Sequence, residues 1–288
     1  MKPIADWPPD DRRGLVGVFT DIDDTLTTGG AITPDALQAL ADLKAAGLMV
    51  IPITGRPIGW CASFANGNPA TNKAPWPVDA IVAENGGVAF APENLCEIGL
   101  QPSNYKRIPL LKIYQQPEAL RAENFARMQQ VAAQVLRDVP QARLSQDDGG
   151  RETDLAFDHH ELVHLPPDAV QQVVSLLRGA GMHTTVSSIH IHGCFGDFNK
   201  WQGACWLLQR LLGRQLAQEL DHWVFVGDSG NDQAMFQHFR HSIGVANIRH
   251  CAANLSHLPR YVTQAERGSG FAEAARAILE ARRTTPVT

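Results

Sequence analysis

The sequence predicts an α/β protein: a Rossmann-like, mostly parallel sheet interrupted by a smaller inserted α/β layer. Three observations carry this prediction. Short apolar, β-branched runs alternate with helical segments in the N-terminal part, and the same alternation resumes in the C-terminal third. Strands that alternate with helices imply right-handed crossovers and a parallel sheet. Between the two parts, from about Glu97 to His190, apolar and polar residues alternate in short stretches, which suits antiparallel strands with one wet face.

Each element has a local cause. "LVGVFTDID" is a buried strand, a continuous run of β-branched and aromatic residues closing in polar ones. "TPDALQALADLKAAG" has a Thr cap, Pro at the first helical position, helical apolar spacing and a terminal Gly. "LMVIPITG" reads as the second strand, "IGWCASFA" as a helix, and "VDAIVAENGG" as a third strand ending in a turn. The middle holds a long helix ("PEALRAENFARMQQVAAQVLRDV"), the alternating segments "ARLSQ" and "TDLAFD", a second helix ("PDAVQQVVSLLRGAG"), and "HTTVSSIHIHG". The last third reads as a helix ("KWQGACWLLQRLLG"), a strand ("HWVFVGDSG"), a helix ("NDQAMFQHF"), a strand ("HSIGVAN") and a closing helix ("GFAEAARAILEARR"). The expected division is core 1–96, inserted cap 97–190 and core 191–288, with "RRTTPVT" a loose tail.

Composition narrows the function class. A chain of 288 residues with a formal charge of −5 has a real core and no basic surface for nucleic acid or anionic membranes. The cysteines, Cys61, Cys96, Cys194, Cys205 and Cys251, are scattered and odd in number, as expected of reduced thiols in a cytoplasmic protein. The opening "MKPIADWPPDDRRG" is polar and proline-rich, unlike a signal peptide. No apolar run approaches the ~20 residues of a spanning helix. A monomer or small homo-oligomer acting on a small molecule is the expectation.

The chemistry lies where strands end, because open parallel sheets bind ligands at their carboxyl edge. "VFTDIDDTLTTGG" gathers Asp21, Asp23 and Asp24 there, and such neighbours raise one another's pKa unless a cation or donors offset them. A calcium loop is excluded, since Leu26 and Ile32 stand where it needs Gly and Glu. Thr54 follows the second strand, Asp228 and Asp232 a late one, and Lys200 precedes a helix.

"DIDDTLT", "TGR", the lysine of "GDFNKWQGA" and "GDSGND", in that order, resemble the four motifs of the haloacid dehalogenase superfamily. With "ENGG" and a cap-sized gap between the second and third motifs, the chain looks like the Cof-type and sucrose-phosphatase-like phosphatases, over about residues 15 to 280. The resemblance implies a Mg²⁺-dependent phosphatase acting on a small phosphate ester, above all a sugar phosphate. Asp21 would be the nucleophile and Asp23 the acid and base. Thr54, Gly55, Lys200 and Asn231 would hold phosphate oxygens; Asp21, Asp23 (through its carbonyl), Asp228 and Asp232 would hold the metal. Asp24 departs from the pattern, which has Gly there. For substrate selection the candidates are Arg56, the alternating acids Glu152, Asp154 and Asp158, and His190 with His192 on one strand face. Two other readings stay open: a sugar phosphomutase or phosphotransferase of the same fold, and a metal-binding regulatory module with a degenerate core. Trp201, Trp206 and Trp223 are expected in the core.

Overall fold

The computed structural model describes residues 1–93, 109–147 and 150–283. Its central sheet is wholly parallel. In spatial order the strands are Lys2–Pro3, Tyr261–Val262, His241–Gly244, Trp223–Gly227, Gly17–Thr20 and Met49–Pro52. Beyond that edge Ile53 bridges Val82, which attaches an antiparallel extension of Ile81–Ala83, Val88–Ala91 and Leu111–Tyr114. Gly17–Thr20 therefore lies between Trp223–Gly227 and Met49–Pro52. That order brings three motif-bearing strand ends side by side, although they are far apart in the sequence.

The sheet is buried on both faces. Helices Pro34–Ala45 and Arg267–Arg283 cover one side, burying Leu40, Leu43, Phe271 and Ile278 against Val18, Val50 and Val224. Helix Lys200–Leu212 covers the other, with Leu207, Leu208 and Leu211 against Phe19, Trp223 and Phe225. Trp201 and Trp223 are buried in this layer and Trp206 packs against it. The N-terminal segment contributes more than its polarity implies: Lys2–Pro3 pairs in parallel with Tyr261–Val262, and Trp7 is wholly buried beneath it.

The inserted layer is a four-stranded antiparallel sheet, in the order His183–Val186, His190–Cys194, Leu155–Asp158 and Arg143–Leu144. Helices Glu118–Asp138 and Pro167–Gly179 cover one face, and Val131, Val135, Phe157, Val173, Leu177 and Ile191 form a separate core. Two boundaries differ from the expected division. Leu111–Tyr114, inside the span expected to be cap, pairs with core strand Val88–Ala91. His190–Cys194, all but its first residue inside the span expected to be core, is an inner cap strand. Alternation identifies a half-wet strand but not which sheet receives it. We propose a cap running from about the start of the Glu118–Asp138 helix to the end of His190–Cys194. The stretch expected as one segment, "HTTVSSIHIHG", is a hairpin whose turn is Ser187–Ile189.

Candidate active site

Asp21 and Asp228 occupy the carboxyl ends of adjacent strands, and Asp232 lies in the turn after the second. Oxygens of the three carboxylates lie within 4.8 Å of one another, and all three residues are buried. Lys200, at the start of its helix with no exposure at all, hydrogen-bonds Asp21 and reaches Asp232 Oδ1 at 2.7 Å. One ammonium among three buried acids leaves an excess of negative charge. Burial, and then the neighbouring acids, raise the Asp21 carboxyl to about 7 despite Lys200. Burial and Asp21 push Asp228 well above the usual range. Burial alone would lower the Lys200 ammonium, but Asp21 and Asp232 outweigh it and hold it above its ordinary value. Asp232 Oδ2 accepts from the backbone N–H groups of Asp228 and Ser229 at 2.8 and 3.0 Å, which fixes the turn. Asn247 Nδ2 donates to Asp228 Oδ2 at 3.0 Å. An all-oxygen, over-charged donor set of this kind fits a hard divalent cation.

Asp23 stands apart from this cluster. Its carboxylate is gripped by Arg56, through Nε at 3.1 Å and Nη2 at 2.9 Å. Asp24 takes the left-handed conformation, φ 55°, that a glycine would adopt freely. The turn is secured around it. Asn247 donates to its carbonyl at 3.1 Å, its own N–H reaches Thr27 Oγ1 at 3.1 Å, and Arg267 pairs with its carboxylate. Thr54 is wholly buried; its hydroxyl accepts from Arg56 N–H at 3.0 Å, and its carbonyl accepts from Asn85 N–H at 3.0 Å. Gly55 is required by contact: a Cβ there would lie 2.7 Å from His192 Nε2.

The cap sits directly on this site. Asp21, Asp23, Thr54, Gly55, Arg56 and Asn231 of the core face Ser187–Ile189, His190 and His192 of the cap. The cavity between them has about 10 Å³ of free volume, room for roughly one water molecule. Arg56 bridges the two layers, since Nη1 meets Asp147 at 2.9 Å and Nη2 meets Glu161 at 2.7 Å. Glu161 also pairs with His190 Nε2 at 2.8 Å, and that bond, helped by Arg56, draws its carboxyl down to about 2. His192 Nδ1 lies 3.2 Å from Asp154 Oδ2. Burial, reinforced by Arg151, holds this imidazole well below its ordinary pKa. A neutral ring facing a carboxylate carries its proton on Nδ1, which leaves Nε2 an acceptor.

The family model described as haloacid dehalogenase-like hydrolase matches residues 18–111, and the sucrose-6F-phosphate phosphohydrolase model matches 197–281. Together these spans hold the carboxylate cluster, Thr54 and Lys200. Both core segments are thus similar to haloacid dehalogenase-like hydrolases. Among solved structures, the sucrose-phosphatase from Synechocystis sp. PCC6803 in complex with sucrose and phosphate is 17% identical, with a TM-score of 0.61 over 92% of this chain and 98% of that one. A putative HAD/COF-like hydrolase from Plasmodium vivax is 17% identical, with a TM-score of 0.62 over 95% and 99%. A subclass IIB sugar phosphatase is 14% identical, with a TM-score of 0.57 over 90% and 97%. At these identities the structural likeness is one of fold. No curated protein sequence matches significantly.

Three of this hydrolase's expected selectivity residues are committed elsewhere. Glu152 accepts from Lys112 Nζ at 2.7 Å and Tyr114 OH at 2.6 Å. Asp158 caps a turn, accepting from the N–H groups of Glu161, Leu162 and Val163 at 2.8, 2.9 and 3.2 Å. Asp154 pairs with Arg151 at 2.6 Å and reaches the cavity only through His192. None of the three lines the cavity. Their alternation is not that of an open strand face, because the strand begins only at Leu155. Residues the sequence reading passed over include Asp147, Glu161 and the Ser187–Ile189 turn, whose partners are distant in the chain. Glu84 and Asn85 are different, since "ENGG" marks them. Glu84 is wholly buried and raised to about 7 by burial and Asp154, and it accepts from Ile58, Glu152 and Thr153 N–H groups and the Thr153 hydroxyl.

Proposed function

We propose that this phosphatase hydrolyses a small phosphorylated metabolite, a sugar phosphate above all, with Mg²⁺, through an aspartyl-phosphate on Asp21. The observation that carries the reading is the Lys200 ammonium set between Asp21 and Asp232, beside Asp228, at one strand edge. Phosphoryl transfer needs positioning and charge neutralisation more than covalent chemistry. Asp21 attacks phosphorus as the P–O bond to the sugar oxygen breaks, and Asp23 gives that oxygen its proton. Asp23 then takes a proton from the water that splits the aspartyl-phosphate, which releases inorganic phosphate and restores Asp21. Asp21, Asp228 and Asp232 would hold the cation, with the Asp23 carbonyl as a further donor. When bound, Mg²⁺ supplies the positive charge that lets a carboxylate approach a phosphate dianion. Lys200, Thr54, the Gly55 backbone and Asn231 hold the phosphoryl oxygens.

In this closed arrangement Arg56 pins the Asp23 carboxylate while it ties Asp147 and Glu161 of the cap to the core. With space for about one water, a sugar phosphate enters only after the cap swings away, and its arrival displaces Asp23 from Arg56. Ser187–Ile189, His190 and His192 then meet the part of the substrate beyond phosphorus. That wall offers hydroxyl and imidazole partners, which suits sugar hydroxyls. The described cysteines are free thiols, as the proposed cytoplasmic setting requires, and among the described residues no helix is long and apolar enough to cross a membrane. The test is a phosphate-release screen over a metabolite panel with Mg²⁺ and with EDTA. Release from sugar phosphates in Mg²⁺, abolished by EDTA and needing no acceptor sugar, is expected. Activity indifferent to chelation, or transfer only to a second sugar, would overturn the reading.

A further inference from the structure

Asn247 follows the strand His241–Gly244, which lies beside Trp223–Gly227 on the side away from Gly17–Thr20. The pairing continues past both strand ends, since Val245 N–H donates to Gly227 O at 3.0 Å. The chain therefore meets Asp228 from the flank opposite Asp21, and there the Asn247 side chain is buried.

Every hydrogen-bonding group of this amide is committed. Nδ2 donates to Asp228 Oδ2 at 3.0 Å and to Asp24 O at 3.1 Å, while Oδ1 accepts from Arg267 N–H at 2.9 Å. A carboxamide has two N–H hydrogens, and both are engaged. Only this orientation works, because a turned amide would set its oxygen against a carboxylate and a carbonyl. Two left-handed residues stand behind it, Asp24 at φ 55° and Arg267 at φ 53°, and their side chains ion-pair at 3.1 Å. Three segments distant in the chain thus fix the donor end that faces Asp228. The other carboxylate oxygen, Asp228 Oδ1, meets the Thr25 hydroxyl at 3.4 Å, longer than an ordinary O–H···O bond.

We propose that Asn247 is a positioning residue: it pins Asp228 Oδ2, so that this carboxylate offers a cation Oδ1 alone, and the restraint favours Mg²⁺ over Ca²⁺. Mg²⁺ demands near-octahedral geometry, whereas Ca²⁺ takes about six to eight oxygens and accepts a carboxylate through both of its own. A carboxylate whose second oxygen is held by a partner outside the metal cannot rock into two-oxygen contact. The same amide also holds the Asp24 turn, and a purely structural role would act through that turn. This inference rests on the Mg²⁺-dependent phosphatase reading above.

The test is calorimetric titration of Mg²⁺, and separately of Ca²⁺, into the metal-free full-length protein. Asn247→Ala should weaken Mg²⁺ binding by about tenfold or more, the scale on which partners of metal-bound carboxylates act, and Ca²⁺ binding by clearly less. Asp24→Gly separates the two roles of the amide, since glycine takes the left-handed conformation without help. The loss of preference for Mg²⁺ on Asn247→Ala should persist in the Asp24→Gly background. That background also supplies the comparison if Asn247→Ala alone does not fold. An unchanged Mg²⁺ affinity, a loss that vanishes with Asp24→Gly, or equal losses for the two cations would overturn the proposal while leaving the phosphatase reading standing. Wild-type protein that binds no Mg²⁺ would overturn that reading, and the proposal with it.

Discussion

Replacing Lys200 by methionine removes one charge and little volume. The ammonium has 0% exposure, lies 2.7 Å from Asp232 and is hydrogen-bonded to Asp21. Stripping one partner from a buried ion pair costs about 3–5 kcal/mol, because the charge left behind has neither water nor a counter-ion. At ~2–3 °C per kcal/mol for a chain of this size, Tm in EDTA should fall by roughly 6–15 °C. The pH dependence has a definite sign. Asp21 is raised by burial from 3.8 to about 7 in the fold, and Lys200 is the main group holding it down. Without the ammonium its folded pKa rises further, so the folded variant binds a proton above pH 7 that the unfolded chain does not. A carboxyl with a raised folded pKa destabilises the fold progressively as pH climbs to that value. The deficit should therefore widen as pH climbs above about 7. Turnover of an aryl phosphate in Mg²⁺ should drop by about 10²–10³-fold from the lost charge stabilisation alone. A variant melting within about 2 °C of wild type at pH 9, and turning over within about tenfold, would refute this account of Lys200.

Other substitutions separate chemistry, metal, cap and scaffold. Asp21→Asn should abolish turnover yet leave a folded protein with wild-type circular dichroism, since it keeps the shape and removes only the nucleophile. Asp228→Ala should raise the Mg²⁺ concentration for half-maximal rate, read from a metal titration, because two cluster carboxylates remain. Ser188→Ala and Ile189→Ala should reorder the ranking among sugar phosphates while sparing an aryl phosphate; a proportional loss on every substrate would place this turn in the fold instead. Asp158→Ala should do the reverse, leaving the ranking unchanged and lowering stability by about 1 kcal/mol, as expected when partly buried N–H groups exchange their acceptor for water.

The core was legible because each of its motifs is local. A β-branched run ending in "DID", "TG" or "GDSGND" places its polar residue at a strand end whatever the rest of the chain does. Parallel pairing then brings Asp21 beside Asp228 without further information. Lys200 was legible for a related reason, since it begins a helix capped by Asn199. The cap was not. Glu152, Asp154 and Asp158 alternate like a strand face, but their roles are decided by Lys112, Tyr114, Arg151 and His192, residues that no pattern links to them. Arg56 was legible only as part of "TGR"; its junction with Asp147 and Glu161 comes from cap closure. Nor does polarity betray that Lys2–Pro3 adds an edge strand, because an edge strand needs few apolar residues of its own.

The central claim is that Asp21 carries the phosphoryl group. Borohydride reduces an aspartyl-phosphate to homoserine, so turnover quenched in acid, reduced and digested reports the site by peptide mass spectrometry. Homoserine at residue 21, present with substrate and Mg²⁺ and absent with EDTA, is the predicted result. Steady turnover with residue 21 unmodified, or with the label on another carboxylate, would contradict it.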